Sequence, residues 1–299
     1  MSSIDLSEPR SVVVGIDGSA NSYLATEWAA KLASTTGTKL TIVMVQPEVM
    51  VPRKSQVWKA MLEPDYVQTQ RDRFNSRLNK AADGARKLYP EVEIETLLLE
   101  GDVAGQLVEI SKHCETMVLG KRGAGQAGIF TLGGVADIVV TSAKSTVVTI
   151  PHDYICQDGP VVVGIDDDER AKLAVRYGFE QAKRLNVPLL VTHAWYAPPA
   201  ASEATMVVMV DADEINEEGH ALIKGVVDAI SPEFPEVQVR AKVVNSNPAD
   251  ALIAESKSAS MIVVASRGRG GFTGLLLGST SRRVVRMASC PTAVLRFHK

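Results

Sequence analysis

Two kinds of residue in this chain have the type and spacing for ligand chemistry. Asp17 closes the apolar run VVVGID that begins at Val12, and Asp166 closes the same six letters beginning at Val161. A carboxylate ending a buried strand can accept hydrogen bonds from a sugar hydroxyl or an adenine amino group. It can also simply cap the next turn or helix, and its recurrence in both places is what points to binding. The second kind is a glycine-rich segment that also occurs twice, GKRGAGQAGIFTLGG from Gly120 to Gly134 and ASRGRGGFTGLLLGS from Ala265 to Ser279. Glycine allows close backbone approach, and a loop leading into a helix offers unpaired N–H groups and the positive dipole end, which suit phosphate. An ordinary turn has the same composition, so the position after a strand carries the reading. Arg122 and Arg267 lie inside these segments and rank second, because loop arginines are commonly solvated.

Catalysis would need a nucleophile, a metal constellation or a matched acid and base, and none recurs in both repeats. His113, His152, His193, His220 and His298 have no metal-ligand spacing, and His193 lies in an apolar run that suggests a core residue. Neither an SGGxDS pyrophosphatase loop nor an HIGH nucleotidyltransferase signature occurs. A dedicated ligase or transferase is disfavoured.

The elements that must position Asp17 and the glycine segments follow from the hydrophobic pattern. Short Val/Ile-rich runs alternate with longer amphipathic stretches, the pattern of βα units around a buried parallel sheet. The first half supplies strands at Val12–Asp17, Leu40–Val45, Val92–Leu99, Thr116–Gly120 and Thr146–Ile150. The second supplies Val161–Asp166, Leu189–Trp195, Val237–Val244, Met261–Ala265 and Thr292–Phe297. Ala25, Trp28, Ala29 and Leu32 recur at helical spacing after the first strand, as do Ala171, Ala174, Gly178 and Ala182 after its repeat. Right-handed helical crossovers between parallel strands give a doubly wound open sheet in each half, a Rossmann-like α/β fold. In such a sheet, ligands bind beyond the carboxyl ends of the strands where neighbouring connections diverge. Asp17, Asp166 and both glycine segments fall at such ends. The linker is expected between Pro151 and Pro160, where PHDYICQDGP mixes proline, glycine and charge, giving domains at 1–151 and 160–299.

Length and composition agree with two domains. The 299 residues, 45% of them hydrophobic, can bury two ordinary cores. A net charge of -3 gives no case for nucleic acid, which would want a concentrated basic surface. Cys114, Cys156 and Cys290 are too few and too scattered for a disulfide framework, so a reducing cytoplasm fits. MSSIDLSEPR lacks the features of a signal peptide, and no apolar stretch is long enough to span a bilayer, so a soluble protein is expected.

The spacing G-x-x-G, nine residues, then G followed by Ser or Thr resembles the nucleotide loop of the universal stress protein family. Gly120, Gly123 and Gly133 fit it, with Gly134 where the family has a hydroxyl. Gly268, Gly278 and Ser279 fit it in the second half, with Ala265 in place of the first glycine. In ATP-binding members, the aspartate and the end of the second strand hold base and ribose, while the loop and its hydroxyl hold the phosphates. The resemblance therefore implies ATP at Asp17, Val45, Gly120, Gly123, Gly133 and Gly134. In the second half it implies Asp166, Ala194, Ala265, Gly268, Gly278 and Ser279, with Mg²⁺ as an optional companion. Positions 45 and 194 would meet adenine through their backbones.

The departures bear on which half binds more tightly. Losing the hydroxyl at position 134 removes a hydrogen bond worth about 0.5 to 1.5 kcal/mol, or up to about 3 kcal/mol to a charged phosphate. The second half replaces Asp17-Gly18-Ser19 with Asp166-Asp167-Asp168, two added carboxylates that either repel phosphate or cap the next helix and stand solvated. The function implied is an ATP-binding stress-response regulator, at most a slow ATPase. A nucleotide-independent scaffold that holds a protein partner is the reading from another class, and cyclic AMP is an alternative ligand for the same cleft. The long connections Gln46–Asp65 and Tyr196–Ala212, which hold Met50, Met61, Met206 and Met209, are candidate lids or partner surfaces. Family members pair through their fifth strands, so the two halves are expected to pair with each other, with a homodimer as a further step.

Overall fold

The structure is a computed structural model that describes residues 11–47, 64–123, 132–166, 170–196, 211–266 and 277–296. The chain divides into two compact units, Met1–His152 and Asp153–Lys299.

The first unit carries five parallel strands: β1 (Val12–Ile16), β2 (Leu40–Pro47), β3 (Ile94–Gly101), β4 (Thr116–Gly120) and β5 (Thr146–Ile150), in the order β3-β2-β1-β4-β5. Every residue of β1 is buried, and a strand buried on both faces needs helices on both sides. They are α1 (Ala20–Thr36), α2 (Pro64–Leu88), α3 (Val103–Ile110) and α4 (Gly134–Ser142), with α1 packed on α2 and α3 on α4. The connections from β1 run through α1 to β2 on one side, whereas the chain returns through α3 to β4 on the other. The crevice beyond β1 and β4 is the switch point of the sheet.

Local chemistry sets the helix that opens this crevice. Ser19 is extended (φ -72°, ψ 158°), and its side chain accepts the N–H of Ser22 as the N-cap of α1. Gly37 closes the helix in the left-handed region (φ 63°) and donates to the carbonyls of Ala33 and Ser34. Of the stripe expected from the spacing, Ala25, Ala29 and Leu32 are buried, and Trp28 is half-buried.

The second unit repeats the plan with β6 (Val161–Ile165), β7 (Leu189–Trp195), β8 (Val239–Asn245), β9 (Met261–Ala265) and β10 (Thr292–Leu295), ordered β10-β9-β6-β7-β8 and parallel wherever pairs are described. Its helices are α5 (Arg170–Leu185), α6 (Ala212–Asp228), α7 (Pro248–Glu255) and α8 (Ser279–Met287). Ala171, Ala174, Gly178 and Ala182 are all buried on α5. At Gly178 helix and sheet touch so closely that a β-carbon would come 2.3 Å from Val163 Cγ2.

Strand bounds differ from the sequence expectation in a patterned way. The third strands begin two residues late, at Ile94 and Val239, because Val92 and Val237 close turns, donating to the carbonyls of Tyr89 and Phe234 at 3.2 and 3.1 Å. Their apolar character alone suggests strand, but their N–H groups belong to the turns. Asp17 and Asp166 stand one residue beyond β1 and β6, and β10 ends at Leu295. The linker is tied at one end: Ser260 Oγ lies 2.6 Å from the carbonyl of Gln157 and 2.5 Å from that of Gly159. A β-carbon on Gly159 would meet the Ser258 carbonyl oxygen at 1.6 Å, so only glycine fits.

Candidate nucleotide site

The crevice of the first unit holds a cavity of about 330 Å³. That falls within the range of roughly 300–1,000 Å³ usual for small-molecule sites. Its lining joins buried apolar side chains, Ile16, Val45, Leu107 and Leu119, to a backbone-rich glycine rim of Gly120, Gly123, Gly133 and Gly134. A flat apolar base and an anionic tail would meet these two parts respectively.

Asp17 lines the same cavity. Its Oδ1 accepts the N–H of Ser19 at 2.9 Å, which fixes the carboxylate. Its Oδ2 lies against Gly123, where a β-carbon would approach within 2.6 Å. Gly18 turns the chain at φ 83° beneath the side chain of Arg77, whose Cδ stands 2.7 Å from where a β-carbon would be. Beside Asp17, the β1–β2 ladder stops at Ile16–Met44, one residue short of Val45.

The glycine loop is held by backbone bonds at both ends. The N–H of Lys121 donates to the Ile150 carbonyl at 2.8 Å, and the N–H of Gly133 donates to the Lys121 carbonyl at 2.8 Å. Gly133 then caps α4 with no side chain of its own to occupy the first-turn N–H groups of that helix, which begins at the rim. A β-carbon on Gly134 would meet nothing within 4 Å.

The second unit reproduces the frame. The β6–β7 ladder stops at Ile165–His193, one short of Ala194. Ser266 donates to the Leu295 carbonyl at 3.0 Å, Gly278 donates to the Ser266 carbonyl at 2.7 Å, and Gly278 caps α8 with Ser279 exposed as its first residue. Ser281 Oγ donates to the Ala265 carbonyl at 2.6 Å, at the position where the first unit has Ala136 on its cavity wall. Asp166 follows β6 directly. Arg267, Gly268, Asp167 and Asp168 lie outside the described residues, as do Met50, Met61, Met206 and Met209 of the candidate lids.

In the first unit, Asp17, Val45, Gly120, Arg122, Gly123, Gly133 and Gly134 all line one cavity. Sequence reasoning missed Lys121, which is 6% exposed and also lines it, the α3 residues Val103 and Leu107 of the wall, and the buried Asn21 behind the loop. Asn21 lies four residues before Ala25 on the buried stripe of α1, and a polar residue in that stripe is the signal that could have found it.

The model of the universal stress protein family matches residues 9–151 and again residues 159–296. A universal stress protein of Mycolicibacterium smegmatis is 31% identical over 292 residues, covering 95% of this chain and 96% of its own. One from Mycobacterium tuberculosis strain H37Rv is 32% identical over 305 residues, covering 97% and 99%. A crystal structure of a universal stress protein from Archaeoglobus fulgidus superposes with a TM-score of 0.70 at 19% identity, covering 97% of this chain and 99% of that one, which is a likeness of fold. The chain therefore belongs to the universal stress protein family, as a tandem of two family domains.

Proposed function

We propose that the first unit binds an adenine nucleotide, with ATP as the leading ligand, and that the protein is a nucleotide-responsive regulator. The observation that carries this reading is the single cavity joining Asp17, Val45 and the glycine rim at the switch point. The apolar wall would take the base, with backbone groups at Val45 facing its edge. The Asp17 carboxylate would accept from the ribose or the adenine amino group. The rim N–H groups of the loop and of α4 would hold the phosphates, with Arg122 beside them and any Mg²⁺ arriving with the nucleotide. Cyclic AMP would fit the same groups with one phosphate, and competition between the two nucleotides separates them.

The second unit is a candidate for a further nucleotide at Asp166, Ala194, Ala265, Arg267, Gly268, Gly278 and Ser279, supported by the repeated ladder end at Ala194 and the repeated cap at Gly278. Slow hydrolysis would need a base, and Asp17 already has one oxygen engaged by Ser19. Pairing of the two units through β5 and β10, and a homodimer beyond it, are supported by the position of each strand at the end of its unit's strand order. A cytoplasmic location is supported by three cysteines that form no disulfide.

The test is mass spectrometry of small molecules released from the purified, denatured protein, beside the double variant Gly123→Asp and Gly268→Asp. Adenine nucleotide released from the native chain and lost from the variant supports the reading. No release and no uptake of added nucleotide sinks it and favours a partner-binding scaffold.

A further inference from the structure

Asn21 is a buried amide, 5% exposed, on the first turn of α1. Its Nδ2 donates to the carbonyls of Ile150 and Pro151, both at 3.1 Å. Its Oδ1 accepts the backbone N–H of Arg122 at 3.0 Å. Two carbonyls face the nitrogen and one N–H faces the oxygen, so a single orientation of the amide satisfies all three bonds. The side chain thus ties three separate pieces together: the helix that follows Asp17, the end of β5, and the loop between Gly120 and Gly123.

The packing around it is exclusive. A β-carbon on Gly120 would fall 2.9 Å from both Cγ and Oδ1 of Asn21 and 3.2 Å from its backbone carbonyl carbon. Gly120 is therefore glycine because Asn21 occupies the space. The second unit has changed both partners together, with Ala265 in place of Gly120 and Arg170 in place of Asn21.

We infer that Asn21 is the positioning residue for the glycine loop of the first unit: it fixes the Lys121–Arg122 peptide, just ahead of Gly123, which abuts Asp17, and so sets the spacing between the carboxylate and the phosphate rim. The inference rests on the nucleotide reading above, although the clamp itself does not. Removing the tie leaves a loop that must be ordered when ligand binds, and that ordering cost appears as lost affinity.

The test uses the full chain with ATP as probe. Asn21→Asp keeps an acceptor for Arg122 but turns a carboxylate oxygen towards two carbonyls. It is expected to bind ATP at least about tenfold more weakly at pH 8 and to recover part of that loss at pH 5.5, where the protonated carboxyl regains a donor. The ratio to wild type at each pH removes the titration of other groups. Amide exchange at Arg122 in the ligand-free protein should speed up in Asn21→Asp and in the neutral, shorter Asn21→Ser, while exchange in β1 and β4 stays slow. ATP affinity within about twofold of wild type, together with unchanged Arg122 exchange, overturns the assignment. Should wild type bind no adenine nucleotide, the nucleotide reading fails and Arg122 exchange alone decides the clamp. Should Asn21→Asp not fold, Asn21→Ser carries both measurements.

Discussion

The carboxylate of Asp17 and the α-carbon of Gly123 abut across the crevice, and a β-carbon at 123 would stand 2.6 Å from Oδ2. The smallest side chain must therefore displace either the acid or the loop. Gly123→Ala is expected to lower nucleotide affinity by roughly ten- to a hundredfold, the equivalent of about 1.5 to 3 kcal/mol for a disturbed hydrogen bond to a charged group. Titration calorimetry beside a melting curve checks it, with the melting temperature expected to change little. Equal affinity in the variant would mean that Asp17 does not touch the ligand.

Gly134 offers the opposite experiment. Its β-carbon position is open, and the residue begins α4 at the rim. Gly134→Ser should restore the family's hydroxyl without strain and tighten nucleotide binding about two- to tenfold, the effect of one hydrogen bond of about 0.5 to 1.5 kcal/mol. Unchanged or weaker binding would place the phosphates away from the start of α4.

Alkaline pH should destabilise the fold. Burial pushes the Cys114 thiol up from 9.0 to about 11, against a partly offsetting hydrogen bond to Ser145. Between those values the unfolded chain has released the proton while the folded chain retains it. Stability is then unaffected by this group below pH 9, falls as pH rises towards 11, and levels off beyond, for a loss of up to about 2 to 3 kcal/mol. Burial raises Tyr154 too, and adds a loss of the same sign above its ordinary value of 10.0. Urea unfolding at pH 8 and pH 10.5 measures the total, and Cys114→Ala should remove the thiol's share. An identical slope in that variant would show that Cys114 titrates normally.

Gly159→Ala should be among the more damaging single substitutions outside the site. The added methyl would overlap the Ser258 carbonyl oxygen, which is backbone and can yield only by moving the turn before β9. A loss of about 1 to 3 kcal/mol is expected from such overpacking, read as a lowered melting temperature. A wild-type melting curve would show that the turn is free to shift.

The sequence made some of this legible because it is written twice. The repeat of VVVGID and of the glycine segment located β1, β4, β6 and β9, and counting along the second strand reached Val45 and Ala194, each one residue past a ladder. What stayed hidden was tertiary. Val92 and Val237 look like strand residues because they are apolar, yet their N–H groups close turns. Asn21 looks like a surface residue in DGSANS, and its three bonds run to segments more than 100 residues away. Leu107 on the cavity wall belongs to a short helix whose pattern speaks only of packing.

The segment joining the two repeats has unlike ends, and a protease would read the difference. His152, Asp153, Ile155 and Cys156 are exposed, whereas from Gln157 onward Ser260 and the turn at Ser258 clasp the chain. Limited digestion should therefore nick the protein on the amino-terminal side of Gln157. The carboxyl-terminal fragment would carry the strip of chain clasped by its own Ser260, in keeping with a second compact unit that begins at Asp153, ahead of the first residue of β6.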